Sequence, residues 1–353
     1  MSTLTQVPFE QIDDVIPLLA RRVMTPRNMI HLFSDSTQFL STLCKVFGTP
    51  SRRIVSAGHM TPDIALAADR AEMGINEVLG ASAFSCDTTA VIEAVTSPSD
   101  IVYIANPNRI SGANVSIEDL RQMAESVPDG LLIVDEYYFD FFGISSVPLL
   151  EVCSNVVVLR SLTAAFGLVS SDVGFAVAAP GTLLQLGISG RDQHFSATVR
   201  KTIVAALMND QALANQVQSV HDESLRMATA LNRMGARSRI TATDSLLIRV
   251  SSTSQVGNML ARHRVPFENL DGYPRMQGFI KYRLQSPISN DKCLEAFSKM
   301  PTELLKSSPA EMGKQMLRRP AETLPQHDLI QAEADLSRHE VFQAIEQGGN
   351  LVE

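Results

Sequence analysis

Apolar and polar positions follow two periods along this chain. Three short unbroken apolar runs have the length and composition of strands buried on both faces: Ile101-Val102-Tyr103-Ile104-Ala105, Leu131-Leu132-Ile133-Val134 and Val156-Val157-Val158-Leu159. Amphipathic stretches at helical spacing separate them. This alternation predicts an α/β fold with a mostly parallel sheet covered by helices. Each run gives way to a polar motif: Asn106 to Gly112, Asp135 to Tyr138, and Ser161 to Ala164. Ligands of open α/β sheets bind beyond the carboxyl ends of the strands, so these three motifs are expected to converge on one crevice.

The second half follows the same pattern on a smaller scale. Helical spacing from Asp210 to about Asn232 predicts a long helix, and Ser245 to Val250 and Gly278 to Leu284 read as strands separated by a helix over Thr253 to His263. Beyond Met300, Pro301, Pro309, Pro320 and Pro325 space out charged segments, and Leu329 to Gln347 has an amphipathic pattern built on Leu336, Phe342 and Ile345. The expected organisation is a residual N-terminal helix in 1–25, a large domain in 26–210, a small α/β domain in 211–300 and a partly helical extension in 301–353. For the extension, disorder, partner binding and docking on its own chain all stay open.

With 353 residues, 45% hydrophobic and 19% charged, the chain can bury a sizeable core. A net charge of −8 without a Lys/Arg cluster argues against nucleic acid or an acidic membrane as partner. Cys44, Cys86, Cys153 and Cys293 are scattered, which indicates neither a metal site nor a disulfide framework and suits buried free thiols. The first residues lack a secretory pattern, and no apolar stretch approaches the ~20 residues of a membrane helix, so a cytoplasmic location is expected.

Candidate chemistry enters with Val158 to Leu168. The stretch Ser161-Leu162-Thr163-Ala164-Ala165-Phe166-Gly167-Leu168 resembles the hydroxyl-x-hydroxyl-Lys-Ala-Phe-Gly-Leu signature of fold-type I pyridoxal phosphate enzymes, histidinol-phosphate aminotransferases especially. Ala164 stands where that signature has its Schiff-base lysine, and a methyl group can neither form the covalent link nor move a proton. Gly278-Phe279-Ile280-Lys281-Tyr282 through Pro287-Ile288-Ser289-Asn290-Asp291 resembles the family's Gly-Tyr-Leu-Arg-Ile…Pro-x-x-Asn-Asp. The resemblance runs from about Ile12 to Met300 and implies the two-domain aminotransferase fold. The arm that usually precedes Ile12 is expected to be missing.

The same resemblance assigns the other site positions. Asp135 corresponds to the aspartate that pairs with the cofactor's ring nitrogen, and Tyr138 to the tyrosine that donates to its phenolic oxygen. Ser161 and Thr163 belong to the same pocket. Arg109 replaces an asparagine, and it either enters the pocket or points to solvent. In the phosphate cup, Phe33-Ser34-Asp35-Ser36-Thr37 replaces a glycine-rich turn; Ser36 and Thr37 can still donate, while Asp35 is expected to place a negative charge there. Asp172 replaces the arginine that holds the phosphate. Asp63 falls at the position of the ring-stacking aromatic residue, and Lys281, with Arg283 nearby, at that of the substrate-carboxylate arginine.

A few lysine-free relatives in the family it resembles bind the cofactor without a covalent link and use a histidine as base, which makes His194 and His59 candidates beside their plainer structural reading; Lys201 is a remote candidate for a relocated lysine. Together these changes imply a degenerate aminotransferase homologue that does not transaminate. It would need no cofactor and would bind a small ligand or a protein partner, as a homodimer or a heterodimer with an active paralogue. The alternative is a lysine-free or repurposed enzyme acting on an amino-acid-like metabolite, with or without non-covalent pyridoxal phosphate.

Overall fold

The computed structural model describes residues 15–49, 52–168, 172–187 and 195–306. In chain order its helices and strands are α1 (Val15–Arg22), β1 (Ile30–Phe33), α2 (Ser36–Phe47), β2 (Arg53–Ala57), α3 (Pro62–Arg70), β3 (Gly74–Val78), α4 (Thr88–Ala94), β4 (Ile101–Ala105), α5 (Ile117–Ser126), β5 (Leu131–Glu136), α6 (Phe139–Phe142) and β6 (Val156–Ser161). They continue with β7 (Gly174–Ala178), α7 (Pro180–Gln185), α8 (Ala197–Leu207), α9 (Asp210–Arg233), β8 (Arg237–Ile240), β9 (Ser245–Arg249), α10 (Thr253–Arg262), β10 (Glu268–Asn269), β11 (Phe279–Arg283), α11 (Pro287–Ser298) and α12 (Thr302–Leu305).

The three apolar runs are neighbours at the centre of a seven-stranded sheet of order β1-β7-β6-β5-β4-β2-β3. Strands β2 to β6 pair in parallel, whereas β7 and β1 close one edge antiparallel. Two-residue periodicity sorts each central strand between two cores. Val102 and Ile104 join α1, α5 and α8 on one face. Ile101, Tyr103 and Ala105 join α2, α3 and α7 on the other. Burial on both faces is why these runs are continuously apolar.

Helix starts carry local signals. Asp87, Asn209, Ser252 and Ser286 cap their helices through side-chain oxygens, and Ser116 and Asp119 complete a capping box on α5. The second sheet, β10-β11-β9-β8, is antiparallel and packs on α9, α10 and α11 around its own apolar core. The described residues fall in one compact unit. The expected N-terminal helix within 1–25 is described from Val15, and the amphipathic stretch Leu329 to Gln347 lies outside the described residues. No helix among the described residues is long and apolar enough to cross a membrane.

Candidate functional site

The first wall of the crevice is the start of α2. Its N-terminal amides lack helical partners and favour an anion. The anion there is Asp172, two residues before β7: its Oδ2 accepts from the Ser36 amide at 3.0 Å and from the Ser36 hydroxyl at 2.8 Å. Asp35 adds a second carboxylate at the same helix terminus. It turns back to cap α2, accepting from the Gln38 amide at 2.8 Å. Phe33 fills the adjoining space, stacked on Phe39 with centroids 4.9 Å apart, and its ring would lie 2.5 Å from a Cβ at residue 174, so Gly174 is required there.

A second carboxylate, Asp63 in the first turn of α3, accepts from Thr37 Oγ1 at 2.9 Å and from Arg109 Nη1 at 2.6 Å. Of the two orientations open to Arg109, the chain adopts the inward one. Its guanidinium lies 5.0 Å from the centroid of the Tyr137 ring. Burial opposes its charge, but Asp135 and Asp63 outweigh that and raise its pKa.

Asp135, near the end of β5, forms the floor. Its Oδ2 accepts from the Tyr103 hydroxyl at 2.8 Å, that hydroxyl lies 2.9 Å from Thr61 Oγ1, and Oδ1 accepts from the Tyr137 amide at 3.1 Å. Burial pushes the Asp135 carboxyl up, partly offset by Arg109 and the Tyr103 hydrogen bond. Burial likewise pushes Tyr103 up. Burial also pushes Tyr137 up, partly offset by Arg109 and Ser161, and Ser161 Oγ accepts from the Thr163 amide at 3.0 Å. Tyr138 is buried and meets Tyr137 edge-on at 4.9 Å. The cavity left among Ser36, Asp63, Arg109, Asp135, Tyr137 and Asp172 is about 10 Å³, room for one water at most.

Ala164 does not border this small cavity. It lines a separate open cleft of about 570 Å³ together with Phe166, helices α8 and α9, Asp244 and Arg283. The two cations expected to hold a substrate carboxylate are engaged elsewhere. Lys281 Nζ donates to the Arg109 carbonyl at 2.8 Å and lies 3.4 Å from Glu268, and Arg283 Nε donates to Asp244 at 2.6 Å. Only Arg283 reaches the large cleft.

Of the base candidates, His59 is buried with Nε2 2.8 Å from the Pro274 carbonyl, which fits its structural reading. His194 lies outside the described residues, and Lys201 is exposed on α8. Cys44, Cys153 and Cys293 are buried free thiols, and Cys86 is half-buried. Sequence reasoning missed Thr61, Tyr103 and Tyr137. Tyr137 had a usable signal, its place directly after β5 between Asp135-Glu136 and Tyr138 of the same motif.

The seven-stranded sheet with one antiparallel edge and a crevice at the ends of β4, β5 and β6 has known counterparts. A family model described as aminotransferase class I and II matches residues 17–260. The chain belongs to this family. It is 28% identical over 232 residues to a histidinol-phosphate aminotransferase of Chlorobaculum tepidum, spanning 65% of this chain and 66% of that one. It is 25% identical over 305 residues to one of Chlorobium chlorochromatii, spanning 84% of each.

In fold it is similar to histidinol-phosphate aminotransferases of Clostridium acetobutylicum (TM-score 0.71, 14% identity, 80% of this chain and 87% of that one) and Sinorhizobium meliloti (TM-score 0.68, 18% identity, 81% and 80%). The Sinorhizobium structure is a complex with pyridoxal 5′-phosphate. The fold expected from sequence, fold-type I with a mostly parallel large sheet, is therefore correct.

The expectation that no cofactor takes part is overturned by the same comparisons. Pyridoxal phosphate belongs to the family that matches most of this chain, and a fold neighbour holds it. The side chains as arranged nevertheless do not fit the group. Asp172 occupies the helix terminus where a phosphate would bind, and Arg109 fills the space in front of Asp135. No catalytic step is therefore derived through the cofactor.

Proposed function

We propose that this chain is an aminotransferase homologue that does not transaminate through a lysine Schiff base, and that it acts by binding a small ligand or a protein partner. The observation that carries this reading is Ala164, which follows β6 in the segment resembling the family's lysine motif and presents a methyl group to the large cleft. That cleft is within the usual size range of small-molecule sites and combines apolar side chains with the polar Asp244 and Arg283. Assembly as a homodimer, or a heterodimer with an active paralogue, is part of the proposal.

Incubation with pyridoxal phosphate, borohydride reduction and peptide mass mapping tests it, together with amino-group transfer assays on a panel of amino acids. The expected result is no transfer and no site-specific reduced adduct. A stoichiometric adduct on a single lysine, Lys201 included, would sink the proposal.

A second reading is favoured by one observation: Asp135 is still held at the end of β5 by Tyr103 and the Tyr137 amide. In that reading pyridoxal phosphate binds without a covalent link and serves an amino-acid-like substrate. Cofactor absorbance that survives desalting while borohydride leaves the protein mass unchanged is its signature.

A further inference from the structure

The misfit between this crevice and a phosphate group has a specific source. Helix α2 is twelve residues long, and the two donors at its start, the amide and hydroxyl of Ser36, both point at one oxygen of Asp172. The neighbouring hydroxyl, that of Thr37, is taken by Asp63. A phosphorylated ligand entering here meets an occupied terminus and a like charge within hydrogen-bond distance of the donors it needs.

We propose that Asp172 is a built-in competitor for phosphorylated ligands: an organic phosphate monoester binds the crevice only by displacing the Asp172 carboxylate from Ser36. The two anchored ion-pair partners, Asp63 and Arg109, are mostly shielded, whereas Asp172 is exposed at the rim. Its carboxylate can therefore turn to water, and a ligand larger than the phosphate itself also needs Arg109 to leave the space in front of Asp135. The contest concerns the phosphate group alone. It requires no covalent bond and is independent of what residue 164 does.

The test uses pyridoxine 5′-phosphate and pyridoxine, which carry no aldehyde and so cannot react with lysines. Each is titrated calorimetrically into the full-length protein, Asp172→Ala and Asp172→Asn. The expected result is about a tenfold gain in affinity for the phosphorylated compound in both variants, with pyridoxine unchanged. Adding Ser36→Ala to Asp172→Asn removes most of that gain.

Melting curves establish that each variant is folded, and the near-isosteric Asp172→Asn carries the test where Asp172→Ala does not fold. An equal gain for both compounds, or no gain, including no measurable binding by any form, overturns the proposal. None of these outcomes depends on transamination.

Discussion

The Asp63 carboxylate joins Arg109 to Thr37, 2.6 Å from the guanidinium and 2.9 Å from the hydroxyl, so one side chain ties the loop after β4 to the starts of α3 and α2. Both members of the ion pair are about three-quarters shielded. Asp63→Ala leaves Arg109 desolvated with one anion fewer, and the expected loss of stability is about 1–3 kcal/mol. Urea denaturation measures it. Arg109→Met combined with Asp63→Ala removes both members of the pair but takes from buried Asp135 its neighbouring cation, so it should cost at least as much as Asp63→Ala alone.

A deeper pair adjoins the crevice. Arg160 Nε is 2.9 Å from Glu136 Oε2, and both side chains are almost wholly buried. The guanidinium also donates to Ser145 Oγ at 2.6 Å and lies 3.4 Å from the centroid of the Phe139 ring. Arg160→Met strands the Glu136 charge, with an expected cost of about 3–5 kcal/mol. Replacing both residues with apolar ones should recover much of it. A double variant as unstable as Arg160→Met in urea titration would contradict this account.

His31 on β1 sets an acid limit. It is buried against Phe39, its Nε2 has no hydrogen-bond partner among the described residues, and burial lowers its pKa from 6.5 to about 4. The unfolded chain therefore takes up a proton at a pH where the folded chain does not. Stability is complete above pH 6.5 and falls as pH drops towards 4, by on the order of 3 kcal/mol from this residue. His31→Leu should flatten the dependence of the urea midpoint on pH over that window.

Ala164→Lys restores an amine where the motif resemblance expects one. Because Ala164 borders the open cleft, the longer side chain can extend without overpacking the core, and the melting temperature should move by only a few degrees. After incubation with pyridoxal phosphate and borohydride, adduct at residue 164 should be scarce in Ala164→Lys and greater in Ala164→Lys with Asp172→Asn. Peptide mapping that finds equal labelling would count against the Asp172 contest.

The fold was legible where one physical demand dominated. Strands buried on both faces must be apolar throughout, so β4, β5 and β6 stand out in the sequence. The four-residue β1 did not, because it is short and contains His31. Within the site, the resemblance to the family's motifs pointed to Asp135, Ser36 and Arg109. Their partners did not, because the Tyr103–Asp135 bond joins residues on adjacent strands and the Asp63–Arg109 pair joins a helix to a loop. Tyr103 looked like one more apolar position of β4, and nothing local marks its hydroxyl as a donor to the next strand. Lys281 kept its charge in the sequence, but the Arg109 carbonyl and Glu268 that occupy it are remote along the chain.

The outermost strand carries a dynamic consequence. Phe33 pairs with Gly174 at the end of the β1–β7 ladder, and the Ser36–Asp172 contact lies just beyond that last rung, between the continuations of the same two strands. Edge strands with few rungs are where local unfolding costs least. Fraying of this rung and release of the carboxylate are therefore neighbouring steps of one motion, and slow amide exchange in β1 becomes a clock for how often the crevice opens.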